Sequence, residues 1–283
     1  MKIGIVGWGY VGASTGLGLR DQHEIYVYDP FKDVEDFSFN IIKELPYKSS
    51  KNLKVIEDVE ELKDVDIIFL CLPTPSNNDG SANTTYIDNF LSQLNKVLDD
   101  GTIVIRSTVP PGTTVNMQAK YPKFKFVHNP EFLREKSPLY DFLYPSRIVI
   151  GSNNKHASEK VLEIYKPFEC MKIVTDPMSS EMIKYTANCF LANKISYFNE
   201  IHMICERVGA DPKTVAEAVS LDERIGRYGI YGGRPFGGAC LPKDLKALIN
   251  HVENKIGFEP DLLKSVKKIN DKVEKNESSN NGV

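Results

Sequence analysis

The 283 residues carry 41% hydrophobic and 26% charged side chains and a net charge of −3, the balance of an ordinary globular chain and no electrostatic footprint for nucleic acid or an anionic membrane surface. No apolar run approaches the roughly 20 residues that cross a bilayer, and no signal-peptide pattern opens the chain. The five cysteines, at 71, 170, 189, 205 and 240, form neither a CxxC pair nor a metal-ligand set, which fits a reducing cytoplasm and no metal site.

Short apolar, β-branched runs at 2–6, 24–28, 65–71, 102–106, 124–128, 147–150 and 171–174 read as strands buried on both faces. They alternate with helical stretches, the signature of an α/β fold with a parallel, doubly wound sheet. After Asp176-Pro177 the pattern changes. Ser179 or Ser180 is placed to cap a helix over 181–208, closed by Gly209; about 28 residues make it about 42 Å long. Its apolar faces exceed what so few later elements can cover, which points to a homodimer. A shorter helix is expected from Pro212 through Val219, then a glycine-rich loop over 226–238, a helix from near Pro242 and another over about 260–273. The expected organisation is a sheet domain at 1–178, an all-helical domain headed by the long helix at 179–273, and a polar, disordered tail at 274–283.

Gly7-x-Gly9-x-x-Gly12 follows the first strand and opens a helix. Such a turn cradles a dinucleotide pyrophosphate on backbone N–H groups. Asp29 closes the second strand 20 residues after Gly9, where a carboxylate binds ribose hydroxyls and repels a 2′-phosphate. Lys32 lies close by and leaves the choice of NAD over NADP partly open.

Five further segments carry chemistry. They are Leu72-Pro73-Thr74-Pro75 with Asp79-Gly80, Ser107-Thr108-Val109-Pro110-Pro111-Gly112-Thr113, Asn129-Pro130-Glu131-Phe132-Leu133-Arg134-Glu135, Lys184-Tyr185-Thr186-Ala187-Asn188, and Gly237-Gly238-Ala239-Cys240-Leu241-Pro242-Lys243-Asp244. Together with the opening turn, in this order, they resemble the UDP-glucose/GDP-mannose dehydrogenase family. Tyr144-Pro145-Ser146-Arg147 and Asp222-Glu223-Arg224-Ile225-Gly226 are similar to its UDP-glucose branch.

The resemblance implies a Rossmann domain, NAD, and the four-electron oxidation of a nucleotide sugar's primary alcohol to a carboxylate. It casts Cys240 as the nucleophile that carries a hemithioacetal and then a thioester. Lys184 and Asn188, four apart on one helix face, become donors to the developing oxyanion. Asp244 resembles a water-positioning carboxylate, Glu135 the base for thioester hydrolysis, Thr108 a water-ordering hydroxyl and Glu131 a group near the nicotinamide. Cofactor contact is implied for Gly7, Gly9, Tyr10, Val11, Gly12, Asp29, Pro73, Thr74, Thr108 and Glu135. Substrate contact is implied for Glu131, Phe132, Leu133, Arg134, Lys184, Asn188, Arg224, Tyr231 and Gly237. Cys71, Cys189 and Cys205 read instead as small core residues.

Family members continue into a second Rossmann-like domain that supplies much of the nucleotide pocket, and this sequence stops before it. Three readings remain at this point. One is a nucleotide-sugar dehydrogenase, UDP-glucose favoured and GDP-mannose the alternative, completed by a dimer partner or a separate polypeptide. The second is a catalytically incomplete NAD-binding fragment or dimerisation module. The third is a small hydroxy-acid dehydrogenase, a class that shares the Lys-x-x-x-Asn pair but needs no cysteine.

Overall fold

The computed structural model describes residues 1–31, 34 and 52–280; Lys32 lies outside them. Contacts divide the chain into two compact units, Met1–Thr74 with Asn83–Lys184, and Pro75–Ala82 with Tyr185–Val283.

The first unit is built on one sheet of β1 (Lys2–Val6), β2 (Glu24–Tyr28), β3 (Leu53–Val55), β4 (Ile67–Leu70), β5 (Gly101–Ile105), β6 (Phe124–His128), β7 (Arg147–Gly151) and β8 (Met171–Thr175). The strand order is β3-β2-β1-β4-β5-β6-β7-β8. Neighbours run parallel except β6 and β7, which meet antiparallel at His128↔Gly151. Around the sheet lie α1 (Tyr10–Leu19), α2 (Thr85–Val97), α3 (Thr113–Lys120), α4 (Pro138–Leu143) and α5 (Lys155–Ile164). β4 shows why its sequence is apolar without interruption. Ile67 and Phe69 enter one hydrophobic cluster, while Ile68 and Leu70 enter another, so both faces are covered. The order reverses between β1 and β4, which opens a crevice beyond their carboxyl ends. β3 gives no signal in the sequence because it is three residues at the sheet edge, with Lys54 between Leu53 and Val55.

Helix α6 (Pro177–Val208) has 32 residues and begins one turn before the expected start. Proline suits the first helical position, whose N–H needs no partner. Asp176 Oδ1, not a serine, accepts from Ser179 N at 2.9 Å. The first eight residues of α6 belong to the first unit and the rest to the second.

The second unit adds α7 (Pro212–Val219), α8 (Leu241–His251), a short π-helical turn (Val252–Ile256) and α9 (Asp261–Asn280). Its core gathers Tyr185, Cys189, Phe236, Leu245, Leu248 and Val266. The segment Pro75–Ala82 belongs here, since Asn250 Nδ2 donates to the Asp79 carbonyl at 3.0 Å. Helix α9 continues to Asn280, which corrects the expectation of a disordered tail from 274. Its end includes the good helix formers Lys272, Glu274, Lys275 and Glu277, preceded by an i, i+4 pair of Lys267 with Asp271 at 2.6 Å.

Candidate active site

The turn after β1 is shaped by close backbone approach. A Cβ on Gly12 would lie 1.9 Å from the Gly7 carbonyl oxygen, and one on Gly7, at φ +90°, 2.7 Å from the Cys71 carbonyl oxygen. Both positions therefore demand glycine. Gly9 differs, because a Cβ there would meet nothing within 4 Å. Its glycine is not required by packing among the described residues and leaves backbone open at the N-terminus of α1, beside Tyr10 and Val11. Asp29 accepts from Trp8 N at 2.7 Å and Phe31 N at 3.0 Å, which fixes its carboxylate beside the turn. Buried Thr74 donates to the Thr108 carbonyl at 2.8 Å, and Ser107 Oγ donates to the Leu72 carbonyl at 2.6 Å. These bonds stitch the loops beyond β4 and β5, leaving Pro73 exposed. A glycine cradle at the switch point with a carboxylate ending β2 fits an NAD-type dinucleotide.

Beyond β6, Lys184 and Glu131 form a 2.8 Å ion pair whose side chains are 4% and 8% exposed. Lys184 Nζ also donates to the Glu131 carbonyl at 2.8 Å, and Leu133 N donates to Glu131 Oε2 at 2.7 Å. Burial alone would raise the Glu131 carboxyl. The Lys184 charge, the hydrogen bonds from Lys184 and Leu133, and the Arg106 charge outweigh it and hold the group below the usual carboxylate range.

Two buried residues that the sequence did not single out, His128 and Glu181, fix the segment of α6 that leads into Lys184. His128 is fully buried, and its Nδ1 lies 2.8 Å from Ser180 Oγ, one helical turn before Lys184. Burial, helped by the Lys184 and Arg106 charges against a Ser107 backbone contact, pushes the imidazole down to about 3, so it is neutral near pH 7. A Cβ on Gly151 would sit 2.3 Å from Ser180 Cβ; glycine there lets α6 approach β7. Glu181, also fully buried, accepts from Gly112 N at 2.5 Å and from Thr114 N at 2.8 Å. It thus satisfies the N-terminus of α3 from another element. A charged residue flanked by Ser-Ser and apolar positions was the signal for it.

In the second unit, Cys240 is exposed and directly precedes α8. One turn on, Asp244 is fully buried. Its Oδ2 accepts from Asn188 Nδ2 at 2.6 Å and its Oδ1 from Lys243 Nζ at 2.5 Å. The glycine-rich stretch before Cys240 is gripped by two buried amides absent from the sequence reading. Asn199 accepts from Gly233 N and donates to the Arg234 carbonyl, both at 2.8 Å. Asn270 accepts from Phe236 N at 2.7 Å. Asparagine on the inner face of an apolar helix was the available signal.

Of the other expected site residues, Leu133 and Phe132 adjoin the Lys184–Glu131 pair, through the Leu133 N–H and with Lys184 Nζ 5.5 Å from the Phe132 ring. Glu135 and Gly237 are exposed, and Tyr231 is 61% exposed. Arg224 is paired with Asp222 two residues away, and Arg134 forks onto Asp141. Phe132 lies under the Arg147 guanidinium at 3.7 Å, and Leu133 is partly buried.

Comparison with known proteins gives two family matches. The NAD binding domain of the UDP-glucose/GDP-mannose dehydrogenase family matches residues 1–169, and its central domain matches residues 178–272. A UDP-glucose 6-dehydrogenase of Rickettsia typhi is 39% identical over 95% of this chain and 67% of its own length. UDP-glucose 6-dehydrogenase YwqF of Bacillus subtilis is 36% identical over 95% of this chain and 66% of its own length. Among solved structures, a UDP-glucose dehydrogenase from the archaeon Pyrobaculum islandicum superposes with a TM-score of 0.84 at 32% identity, over 95% of this chain and 68% of that one. The chain spans about two thirds of the length of these relatives.

Proposed function

The chain belongs to the UDP-glucose/GDP-mannose dehydrogenase family, and from that membership we propose that it carries the catalytic and NAD-binding parts of an enzyme oxidising UDP-glucose to UDP-glucuronate through a covalent intermediate on Cys240. The observation that carries this reading is the setting of Cys240. It is an exposed thiol in a loop gripped by buried amides, with the buried Asp244 one turn away, whereas a core cysteine would be buried. The Gly7–Gly12 turn and Asp29 are the residues that would hold NAD, which when bound would supply a hydride acceptor for each of two oxidations.

The chain's own residues divide the remaining work. Lys184 Nζ keeps a fixed positive charge for the substrate oxygen, and Asn188 Nδ2 is a second donor. Cys240 Sγ adds to the aldehyde carbon, forming a C–S bond while the carbonyl oxygen takes up a proton. After the second oxidation the adduct is a thioester. Water then attacks its acyl carbon, the C–S bond breaks, and the thiol recovers its proton. Asp244, with both oxygens held, and Glu135, exposed to solvent, are the candidate carboxylates for positioning and deprotonating that water. Thr108, whose carbonyl accepts from Thr74 Oγ1, is the candidate hydroxyl for ordering a water.

A homodimer belongs to the same proposal. Phe190, Tyr197 and Ile204 recur at seven-residue spacing along α6 and are 62%, 56% and 48% exposed, a stripe suited to a second copy.

The test is NADH formed per sugar, with UDP-glucose limiting and NAD in excess. Two NADH per sugar is expected, and Cys240→Ser is expected to abolish sugar-acid formation by about 10³-fold or more. Full turnover by that variant would eliminate the thioester route. GDP-mannose and a supplied partner polypeptide are the next additions if a chain that binds NAD forms no NADH.

A further inference from the structure

Beside the Glu131 loop, wholly within the first unit, lies a cavity of about 300 Å³. Its lining includes three arginines, Arg106, Arg134 and Arg147, against two carboxylates, Glu131 and Asp141. Both carboxylates are already engaged, Glu131 by Lys184 and Asp141 by Arg134. Arg106 and Arg147 have no ion-pair partner among the described residues. Other lining groups add no negative charge, since burial raises the Tyr165 phenol above its ordinary value.

Arg106 is 4% exposed. Its Nη1 donates to Asn129 Oδ1 at 2.6 Å and to Tyr165 Oη at 2.8 Å. Tyr165 Oη in turn donates to Asn129 Oδ1 at 2.7 Å, so that triangle is closed. The Nε is buried and finds no acceptor, and a buried donor left so is costly unless a ligand completes it. The two guanidinium groups are arranged alike. Arg106 lies over the Phe142 ring at 5.6 Å and Arg147 over the Phe132 ring at 3.7 Å. Aromatic faces attract the cations and take up none of their N–H donors; Arg147 Nη1 donates to the adjacent Ser146 Oγ at 3.1 Å. Burial also draws the Arg147 guanidinium below its usual value, the mark of a cation short of a counter-charge.

We propose that this cavity is an oxyanion-binding site, with a phosphate-class group gripped between the guanidinium forks of Arg106 and Arg147. Forked donors match phosphate geometry, and the site's unmatched charge favours a dianion. Tyr140 and Tyr144, 54% and 69% exposed on the same lining, supply aromatic surface beside it. The chemistry is met by free phosphate and equally by the diphosphate of a nucleotide. Binding at this cavity is read without turnover, so its outcome is separate from that of the proposed oxidation.

The test is calorimetric titration of the whole chain with inorganic phosphate at constant ionic strength, without NAD or sugar. Saturable binding is expected, weakened by about tenfold or more in Arg147→Gln. Lys268→Gln, at an exposed position of α9, is the control and should leave affinity unchanged. Melting without phosphate verifies that Arg147→Gln is folded. If it is not, Arg147→Lys keeps the charge but loses the fork, and weakened binding is again expected. Absence of saturable binding, or equal affinity in the wild type and a folded Arg147 variant, would overturn the proposal. UDP separates the two sources. Displacement of phosphate by UDP identifies a nucleotide diphosphate as the ligand, and simultaneous binding identifies the free oxyanion.

Discussion

Each unit buries one carboxylate against a group on α6, and the two solve that problem differently. In the first, Glu131 meets Lys184 with side chains 8% and 4% exposed, a closed ion pair. In the second, Asp244 is fully buried but shares its charge between the Asn188 amide and Lys243, whose side chain is 20% exposed. The first arrangement commits the cation to the interior. The second leaves it able to reach water. A buried charge is tolerated only where its partners replace hydration, so the first pair should be brittle and the second forgiving. Glu181 marks the far limit. Held by N–H and hydroxyl donors without a cation, it is raised by burial, whereas Glu131 is lowered.

The largest effect follows from removing the committed cation. Lys184→Met strands Glu131 in the interior and is expected to cost about 3–5 kcal/mol, measured as a lowered urea midpoint. A loss under about 1 kcal/mol would mean that Glu131 reaches solvent and that the two units do not differ in this way.

His128 sharpens the contrast through pH. Its folded value of about 3 lies below the ordinary 6.5, so below pH 6.5 the unfolded chain takes up a proton that the folded chain refuses. Stability therefore falls as pH falls, by about 1.4 kcal/mol per unit and about 2 kcal/mol between pH 6.5 and 5. His23 and His251 are also lowered by burial, so the quantity to follow is the difference between wild type and His128→Gln. That difference should shrink as pH falls through the window. Parallel curves would show that His128 is solvated.

The smallest energetic change is expected at Asp244. Asp244→Asn retains an acceptor for Asn188, and Lys243 turns to solvent, so the loss should be about 1 kcal/mol. A loss matching that of Lys184→Met would erase the distinction between the units.

The two regions were unequally legible from sequence. In the first, the glycine turn and Asp29 stood out, because close approach and a strand-end carboxylate have fixed spacing. The expected β1, β2 and β6 have the observed bounds. The joint role of His128, Ser180 and Gly151 was invisible, because it arises from three segments meeting in space and has no local pattern. The same holds for Asn199 and Asn270, which act through backbone of a distant loop. Asp176 took the cap expected of Ser179 or Ser180 because Pro177 fixes the first helical residue. Ser180 was then free to turn inward to His128.

Cysteine chemistry gives the last contrast, and it reads the two units without any turnover. Burial pushes the Cys71 and Cys189 thiols up to about 12, while Cys240 is exposed. At pH 8 a thiol of that kind is ionised in about one molecule in 10⁴, and alkylation proceeds through the thiolate. Iodoacetamide followed by peptide mass mapping should therefore label Cys240 well before Cys71 or Cys189. Early labelling of Cys71, which abuts Gly7 and Gly12, would mean that the dinucleotide turn opens in solution. Early labelling of Cys189 would mean that the helical core opens around Asp244. Selective labelling of Cys240 would instead place accessible sulfur chemistry in the second unit, while the first unit's thiol at the turn stays closed.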